Sequence, residues 1–288
     1  MFCALPVDDV NDADELVEVV LGSDADASIL DGLCELLKSI QESAGVVKVR
    51  QAILVEAERV FGEESKEAGE ALYNLGNAYQ DLGDNAKQCD VLERALPIFE
   101  REHGSDGAEV APLLGNLGNA YVSLGEYAKA RDLYERSLAI TEREHGCDHA
   151  EVAVTLTNLG VAYGSLGDHA KKRDVLERAR TIKERAYGRD HLEVAITLNN
   201  LGNAYGTLGD HAKKRDMLER ALAIDERTYG RDHQNVALSL ANLGLAYATL
   251  GDKPKALESL ERARAIFESA HGPEHPHTEY CREALAEL

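Results

Sequence analysis

The residues best suited to bind another molecule are asparagines that recur at a fixed spacing. Asn200 and Asn203 stand in the stretch NLGNAYGTLGDH. The full set is Asn74, Asn77, Asn116, Asn119, Asn158, Asn199, Asn200, Asn203 and Asn242. An amide both donates and accepts hydrogen bonds, so a row of amides can pair with the backbone of an extended peptide whatever its sequence. Asn is a mediocre helix former, so its repetition favours binding; the alternative is that these residues are solvated or bond to a neighbouring helix.

Histidines form a second series with one member in each loop between repeats: His149, His191, His233 and His275. Zinc needs its ligands within about 2.1 Å of one ion, whereas equivalent loops lie on the order of 10 Å apart. We therefore expect each histidine to pack or hydrogen-bond near a helix N-terminus. The C-terminal cluster His271, His275 and His277 is the group to test for a metal, with metal-dependent hydrolysis as the enzymatic alternative.

Glycines in the same stretch resemble a phosphate-binding loop only superficially. No G-x-x-x-x-G-K-[ST] motif and no nucleophile paired with a base occur in the chain, so the sequence predicts neither an enzyme nor a bound cofactor. Gly202 is expected to allow close helix packing, Gly206 to keep the surface low, and Gly209 to end a helix.

The elements that position these residues follow from an internal repeat. Asn-Leu-Gly begins at residues 74, 116, 158, 200 and 242, a constant step of 42. The first copy has apolar residues with the i, i+3, i+4, i+7 spacing of an amphipathic helix, called helix A: Leu75, Ala78, Tyr79 and Leu82. A second periodic run, helix B, follows and ends at His103. Each copy is therefore predicted to be a helical hairpin.

The breaks between the helices have their own signals. A glycine ends each helix, after helix A at 83, 125, 167, 209 and 251 and after helix B at 104, 146, 188, 230 and 272, where a left-handed residue is expected. Asp148 with Glu151, and Asp190 with Glu193, have the spacing of a capping box for the next helix A.

Such hairpins bury their apolar faces only by stacking. We predict an all-α, right-handed superhelical solenoid of stacked antiparallel helix hairpins. The predicted segments are an acidic flexible arm (1–27), a degenerate capping hairpin (28–62), five repeats over 63–272 (63–104, 105–146, 147–188, 189–230 and 231–272) and a C-terminal capping helix (273–288).

Charge and composition narrow the partners. The formal net charge is −21, from 31 basic and 52 acidic residues, which disfavours nucleic acid and anionic membranes. The five cysteines share no metal or disulfide spacing. Neither a leader peptide nor an apolar run of about 18 residues is found, so no membrane insertion and a cytoplasmic location are predicted.

The pattern Asn-Leu-Gly-x-Ala-Tyr, then Leu-Gly-Asp, then Ala in helix B resembles the tetratricopeptide repeat. The period of 42 with Gly-x-Asp-His-x-x-Val-Ala is similar to the kinesin-light-chain-like and nephrocystin-like subclass, over about residues 63 to 272. The resemblance implies a concave groove, lined by the A helices, that holds a peptide without catalysis. Residues 1–62 lack the heptad pattern of kinesin light chains, which argues against a motor-adaptor role.

Three long polar residues depart from that family pattern in helix B. Gln88, Lys172 and Lys214 occupy a site where the family has alanine, which predicts looser packing between helices A and B there. The groove face itself has no evident Lys or Arg, so a clamp for carboxylates is not expected. The runs DHAKKRD at 168–174 and 210–216 are interpreted as solvated, with docking of an acidic segment as the alternative.

The sequence therefore predicts a non-catalytic scaffold or adaptor that binds an extended peptide segment of a partner protein through the asparagines. The alternative is a regulatory or self-assembly module whose groove accepts its own acidic arm or another copy of the protein. At about 10 Å per repeat and 3.3 Å per residue, the five repeats span about a dozen peptide residues.

Overall fold

The computed structural model describes Val17, residues 27–39 and residues 41–288. Among these residues every regular element is an α-helix, which confirms the predicted all-α class. The chain divides into two compact units, Met1–Glu144 and His145–Leu288, hereafter unit 1 and unit 2. The division falls beside the boundary between the second and third repeats.

In unit 1, successive helices pack as antiparallel neighbours in chain order. They are α1 (Ala27–Ser39), α2 (Ser43–Phe61), α3 (Lys66–Leu82), α4 (Asn85–His103), α5 (Val110–Ser123) and α6 (Tyr127–His145), whose last residue falls in unit 2. The predicted acidic arm lies outside the described residues apart from Val17 and Ala27. Val17 is fully buried, and its Cγ2 lies 3.4 Å from the place of a Cβ on Gly45 of α2.

Unit 2 repeats the same arrangement, and its helices also pack in chain order. They are α7 (Ala150–Ser165), α8 (His169–Tyr187), α9 (Leu192–Thr207), α10 (His211–Tyr229), α11 (Gln234–Thr249), α12 (Lys253–His271) and α13 (Pro276–Ala286). Helices α7, α9 and α11 are the A helices of repeats three to five, and α8, α10 and α12 are their B helices.

The core of each hairpin is the apolar stripe predicted from the sequence, with one exception. In repeat four, Leu201 and Ala204 of helix A and Leu218 of helix B are fully buried. The last leucine of the stripe is not a core residue, because Leu208, like Leu82 in the first repeat, is 42% exposed. Leu208 directly follows Thr207, the last residue of the helix.

Glycines act at two kinds of position. A Cβ on Gly244 of α11 would stand 2.7 Å from Leu260 Cγ of α12, so this glycine allows close contact between helices A and B, as expected. Gly209 ends α9 with φ 84°, the predicted left-handed turn. Gly188 after α8 differs from the prediction, because φ 90° is combined with ψ 157°, which is an extended conformation rather than a left-handed one.

Within each unit, hydrogen bonds and ion pairs join neighbouring hairpins. In unit 2 the hydroxyl of Tyr205 donates to Glu177 of the preceding B helix at 2.6 Å, and burial together with this bond raises the pKa of Tyr205 to about 12. Arg220 pairs with Glu184, one B helix back, at 2.5 Å. The repeated Tyr and Glu-Arg pairs in the sequence therefore hold neighbouring hairpins together.

The loop histidines cap helices, and the predicted capping boxes are wrong. His191 Nδ1 accepts the backbone N–H of Glu193 at 3.2 Å, and the same bond is made at His149, His233 and His275. Asp190 instead accepts an ion pair from Arg227 at 3.1 Å. Because His191 stands directly before the helix, its ring reaches the free amides first and leaves the aspartate to bind helix B.

Candidate functional site

One face of the A helices in unit 2 remains open beside the core. On α9, Ile196, Asn199, Asn203 and Gly206 are spaced by three, four and three residues, so they share one side of the helix. The corresponding residues are Val154, Thr157, Val161 and Gly164 on α7, and Leu238, Ala241, Leu245 and Ala248 on α11. We call this set the A face.

The A face carries an exposed aliphatic side chain at the same position of each A helix in unit 2. Val154, Ile196 and Leu238 are 49%, 43% and 42% exposed, at equivalent positions of three successive A helices. Helices α7 and α9 each contain one acidic residue, in the first turn, and α11 has none. The surface is therefore apolar and nearly free of negative charge, in a chain whose formal net charge is −21.

The asparagines of unit 1 mostly bond to one another and to tyrosines. Asn116 Nδ2 donates to Asn77 Oδ1 at 2.8 Å and lies 3.3 Å from the Tyr73 hydroxyl. Tyr134 donates its hydroxyl proton to Asn119 Oδ1 at 2.6 Å. Here the alternative foreseen from the sequence, bonding to a neighbouring helix, describes three of the amides; Asn74 is exposed.

The asparagines of unit 2 are more open. Asn203 is exposed, and its side-chain amide, like those of half-buried Asn200 and Asn242, does not bond to another described residue. Asn199 Nδ2 donates to Ser239 Oγ on α11 at 3.4 Å, whereas its Oδ1 is buried without a partner among the described residues. Half-buried Asn158 lies on α7.

Two lysines of helix B reach the A face, which the sequence did not reveal. A Cβ on Gly164 would lie 2.8 Å from Lys172 Cδ and 3.1 Å from its Nζ. On Gly206 the corresponding distances to Lys214 are 2.7 and 3.5 Å. The lysine side chains thus cross the glycines, because a glycine on helix A leaves room for a long side chain from helix B. The looser packing expected at Lys172 and Lys214 is not found at these contacts.

These two ammonium groups have no counter-charge among the described residues. Lys172 and Lys214 are both half-buried, and neither Nζ bonds or forms an ion pair with another residue in the part of the chain that the structure describes. Burial lowers the pKa of both. The expectation that this face lacks cations is therefore wrong, since the charges arrive from helix B rather than from helix A.

The remaining cations of the two KKR runs have separate structural partners. Lys213 Nζ lies 4.8 Å from the ring centre of Tyr205 and 3.1 Å from Asp210. Arg215 pairs with Asp216 at 2.5 Å. The run at 171–173 repeats these contacts. Each run therefore contains one unpaired cation between two paired ones, rather than a uniform basic patch.

A buried carboxylate lies between α9, α10 and α11. Asp225 is 4% exposed, and its Oδ2 accepts the hydroxyl proton of Ser239 at 2.6 Å. Burial raises the pKa of Asp225, against the opposing effect of hydrogen bonds from Ser239 and Asn199. The equivalent residue of repeat three, Lys183, is also buried but pairs with Glu193 at 2.9 Å.

Metal-binding residue types come together in one loop other than the predicted one. His145, His149 and Glu151 have ligand atoms within 4.8 Å of one another, and all three are exposed. His145 Nε2 lies 3.2 Å from Glu151 Oε2, and the two imidazoles stack at 4.7 Å. Since His275 and His271 stack in the same way at the equivalent positions, the arrangement is part of the capping structure.

Stacked helical hairpins with a repeated sequence define a class of helical repeat proteins, and sequence comparison gives the family. Models described as tetratricopeptide repeat match residues 67–143, 111–171, 173–226, 215–269 and 152–193. The chain therefore belongs to the tetratricopeptide repeat family. Proteins of this family are generally non-catalytic scaffolds for protein interaction. None of the described helices is both long and apolar enough to cross a membrane.

Solved structures share the fold. BtubC (BKLC) from P. vanneervenii is 25% identical, with a TM-score of 0.66 over 80% of this chain and 92% of that one. A putative kinesin light chain from Podosopora anserina is 24% identical (TM-score 0.61, 70% and 96% covered). YrrB, described as having an unusual peptide-binding site, is 19% identical (TM-score 0.53, 80% and 97%). No curated protein matches the chain.

Proposed function

We propose that this protein is a non-catalytic scaffold that binds an extended segment of a partner protein along the A face of unit 2. The observation that carries the proposal is the row Val154, Ile196 and Leu238, exposed at one position of three successive A helices. Apolar side chains in a regular row offer pockets for alternate side chains of an extended ligand, and the neighbouring amides offer bonds to its backbone.

The asparagine ladder enters this proposal in a reduced form. Asn200, Asn203 and Asn242 are the amides proposed to face the ligand, whereas Nδ2 of Asn199 already donates to Ser239. Asn77, Asn116 and Asn119 already bond within unit 1, so a ligand would have to break those bonds to use them. A ligand gains more from open groups than from groups that are already satisfied.

The test uses the full-length protein to select from a random library of peptides about 12 residues long, which exceeds the span of three repeats. Enriched peptides are labelled and their Kd is measured by fluorescence anisotropy. Ile196→Ser with Leu238→Ser should weaken binding at least about tenfold, because two aliphatic contacts are lost. Asn203→Ala should weaken it by a smaller factor.

The matched control is Val55→Ser with Val60→Ser, two exposed aliphatic residues of α2 in unit 1. These changes should leave the affinity unchanged. The proposal is wrong if the library gives no enriched peptide, or if the α2 variant weakens binding and the A-face variant does not.

A further inference from the structure

The most unusual feature of the A face is a pair of ammonium groups that have no partner among the residues that the structure describes. Lys172 and Lys214 occupy the same position of successive B helices, and each stem crosses a glycine of its own helix A. Other lysines of unit 2, such as Lys171, Lys183 and Lys213, have carboxylate partners at 2.9 to 3.4 Å. The sequence has 52 acidic residues, yet no described one pairs with the ammonium groups of these two half-buried lysines, which therefore need a reason.

The two residues at this contact, one on helix A and one on helix B, vary together across the five repeats. The residue of helix A and the residue of helix B that meet there are Gln80 with Gln88, Val122 with Ala130, Gly164 with Lys172, Gly206 with Lys214, and Ala248 with Ala256. Glycine occurs on helix A wherever lysine occurs on helix B. Gly164 and Gly206 thus admit the lysines to the A face, and a lysine placed on the outer surface would not require them.

Local charge points to the kind of ligand. Helices α7 and α9 bring no acid to the A face beside these lysines, since their single acids, Glu151 and Glu193, lie in the first turn. Asp225 of α10 is buried and bonds to Ser239 and Asn199. Charges farther away than about 8 Å are largely screened at physiological salt. The net negative charge of the chain therefore does not cancel the two local positive charges, and a carboxylate at each ammonium would supply the missing partner.

We propose that the A face of repeats three and four recognises an extended peptide segment with two acidic side chains, one bound by Lys172 and the other by Lys214. Neighbouring hairpins lie on the order of 10 Å apart. In the polyproline II conformation, residues i and i+3 share a side and are about 9.3 Å apart. The segment therefore carries Asp or Glu at positions i and i+3. This inference rests on the proposed peptide-binding function and names its ligand chemistry.

The first test is the composition of the peptides that the full-length protein selects from the random library. Acidic residues should be enriched at two positions three apart. Replacing one of them by Asn or Gln should weaken binding about tenfold, the loss expected for one charge-assisted contact. Raising the salt concentration should weaken the binding of the acidic peptide and leave the binding of its neutral variant nearly unchanged.

The second test changes the protein. The double variant Lys172→Met with Lys214→Met keeps apolar stems over Gly164 and Gly206 but removes both charges. It should weaken the binding of the acidic peptide by about a hundredfold, which is about tenfold for each lysine. The matched control is Lys171→Met with Lys213→Met, which removes two neighbouring charges that already have partners. It should change the affinity less than about twofold. Thermal melts of both variants establish that they fold.

The outcomes separate the two proposals. The proposal of an acidic ligand is wrong if peptides bind through Ile196 and Leu238 but contain no acidic pair. It is also wrong if the variant of Lys172 and Lys214 binds the peptides as tightly as the natural protein does. In both cases the proposed peptide-binding function is retained. If no peptide is enriched, both fail. A rise in affinity when Asp8, Asp9, Asp12 and Asp14 are replaced by Asn would show that the chain's own acidic segment occupies the lysines, which overturns a partner as the occupant.

Discussion

Units 1 and 2 use the same repeat but treat the polar groups on their A helices differently. In unit 1, Asn116 and Asn77 bond across neighbouring A helices, and Asn119 is held by Tyr134. In unit 2, Asn200 occupies the position of Asn116 and Asn203 that of Asn119, yet neither bonds to a described residue. The repeat fixes where a side chain stands, and the neighbouring side chains decide whether it is available.

The same contrast holds where helices A and B meet. In unit 1, Gln88 is buried and donates to Gln80 at 3.2 Å, so this polar pair is satisfied internally. In unit 2, Lys172 and Lys214 cross glycines, and their ammonium groups have no partner within the described part of the chain. The difference teaches that the polar groups on one side of the hairpin can change while the contact between helices A and B is preserved.

The opposite side of the hairpins is alike in both units. Arg136 pairs with Glu100 at 2.6 Å in unit 1, and Arg220 pairs with Glu184 at 2.5 Å in unit 2, each across successive B helices. The specialisation is thus confined to the A helices and the residues that touch them.

The largest expected difference between the units concerns added volume at a glycine. A Cβ on Gly118 would stand 2.6 Å from Cε1 of the Tyr134 ring, which is rigid and held by its bond to Asn119. Gly118→Ala should lower the free energy of unfolding by about 1 to 2 kcal/mol, the cost of overpacking less the gain in helix propensity. Chemical denaturation measures the change.

Gly164→Ala is the matched change in unit 2. The obstructing atoms are the flexible end of Lys172, which can swing aside, so the free energy of unfolding should stay within about 0.5 kcal/mol of the natural protein. Equal losses at Gly118 and Gly164 would contradict the idea that unit 2 is the more adaptable surface.

A smaller effect is expected from the asparagines at one repeat position. Asn116→Ala removes the bond to Asn77 and leaves that amide oxygen unpaired, so it should cost about 1 kcal/mol of stability. Asn200→Ala removes no bond to a described residue, and alanine is the better helix former, so it should be neutral or slightly stabilising. Differential scanning calorimetry of both variants compares them; a greater loss at Asn200 would show that unit 2 also satisfies its amides internally.

The smallest expected effect concerns a carboxylate buried in unit 2 where unit 1 has Thr141. Burial raises the pKa of Asp225 above its ordinary 3.8, so the folded protein keeps a proton that the unfolded chain has lost. Stability from this group is therefore lost as the pH rises through the raised pKa. Asp225→Asn mimics the protonated acid and should be about 0.5 to 1 kcal/mol more stable near neutral pH.

That gain should shrink as the pH falls toward 3.8, where the natural protein also becomes protonated. Thermal melts at about pH 7.5 and about pH 4.5 measure it. Asp216→Asn, an exposed acid on the same helix α10, is the control and should show no such trend. A gain that is independent of pH would mean that folding does not raise the pKa of Asp225.

Much of the fold was predictable because the sequence states it five times. The spacing of Leu201, Ala204 and Tyr205 predicted the buried side of helix A, and Gly209 predicted where the helix ends. The capping boxes were not predicted correctly, because a spacing of three residues does not show which side chain stands directly before the helix. His191 stands there, and Asp190 does not.

The candidate site was predicted only in outline. The positions of the asparagines follow from the helix period, which is a local property. Their hydrogen bonds depend on residues about 40 positions away, as Asn116 depends on Asn77, and no local pattern contains that information. Lys172 taken alone predicts looser packing between helices A and B. The close contact follows only when Lys172 is paired with Gly164, the glycine that its side chain crosses.

By itself, the sequence of this chain determined the helices, their order, their turns and the side that each turns to the core. Those features depend on hydrophobic periodicity and on the conformational freedom of glycine, both of which act over a few residues. Only the tertiary structure decided which polar groups remain open, since burial and pairing arise between helices that the chain brings together after long intervals. For that reason Asn77, Asn116 and Asn119 are bonded within unit 1, whereas the ammonium groups of Lys172 and Lys214 in unit 2 have no partner among the described residues.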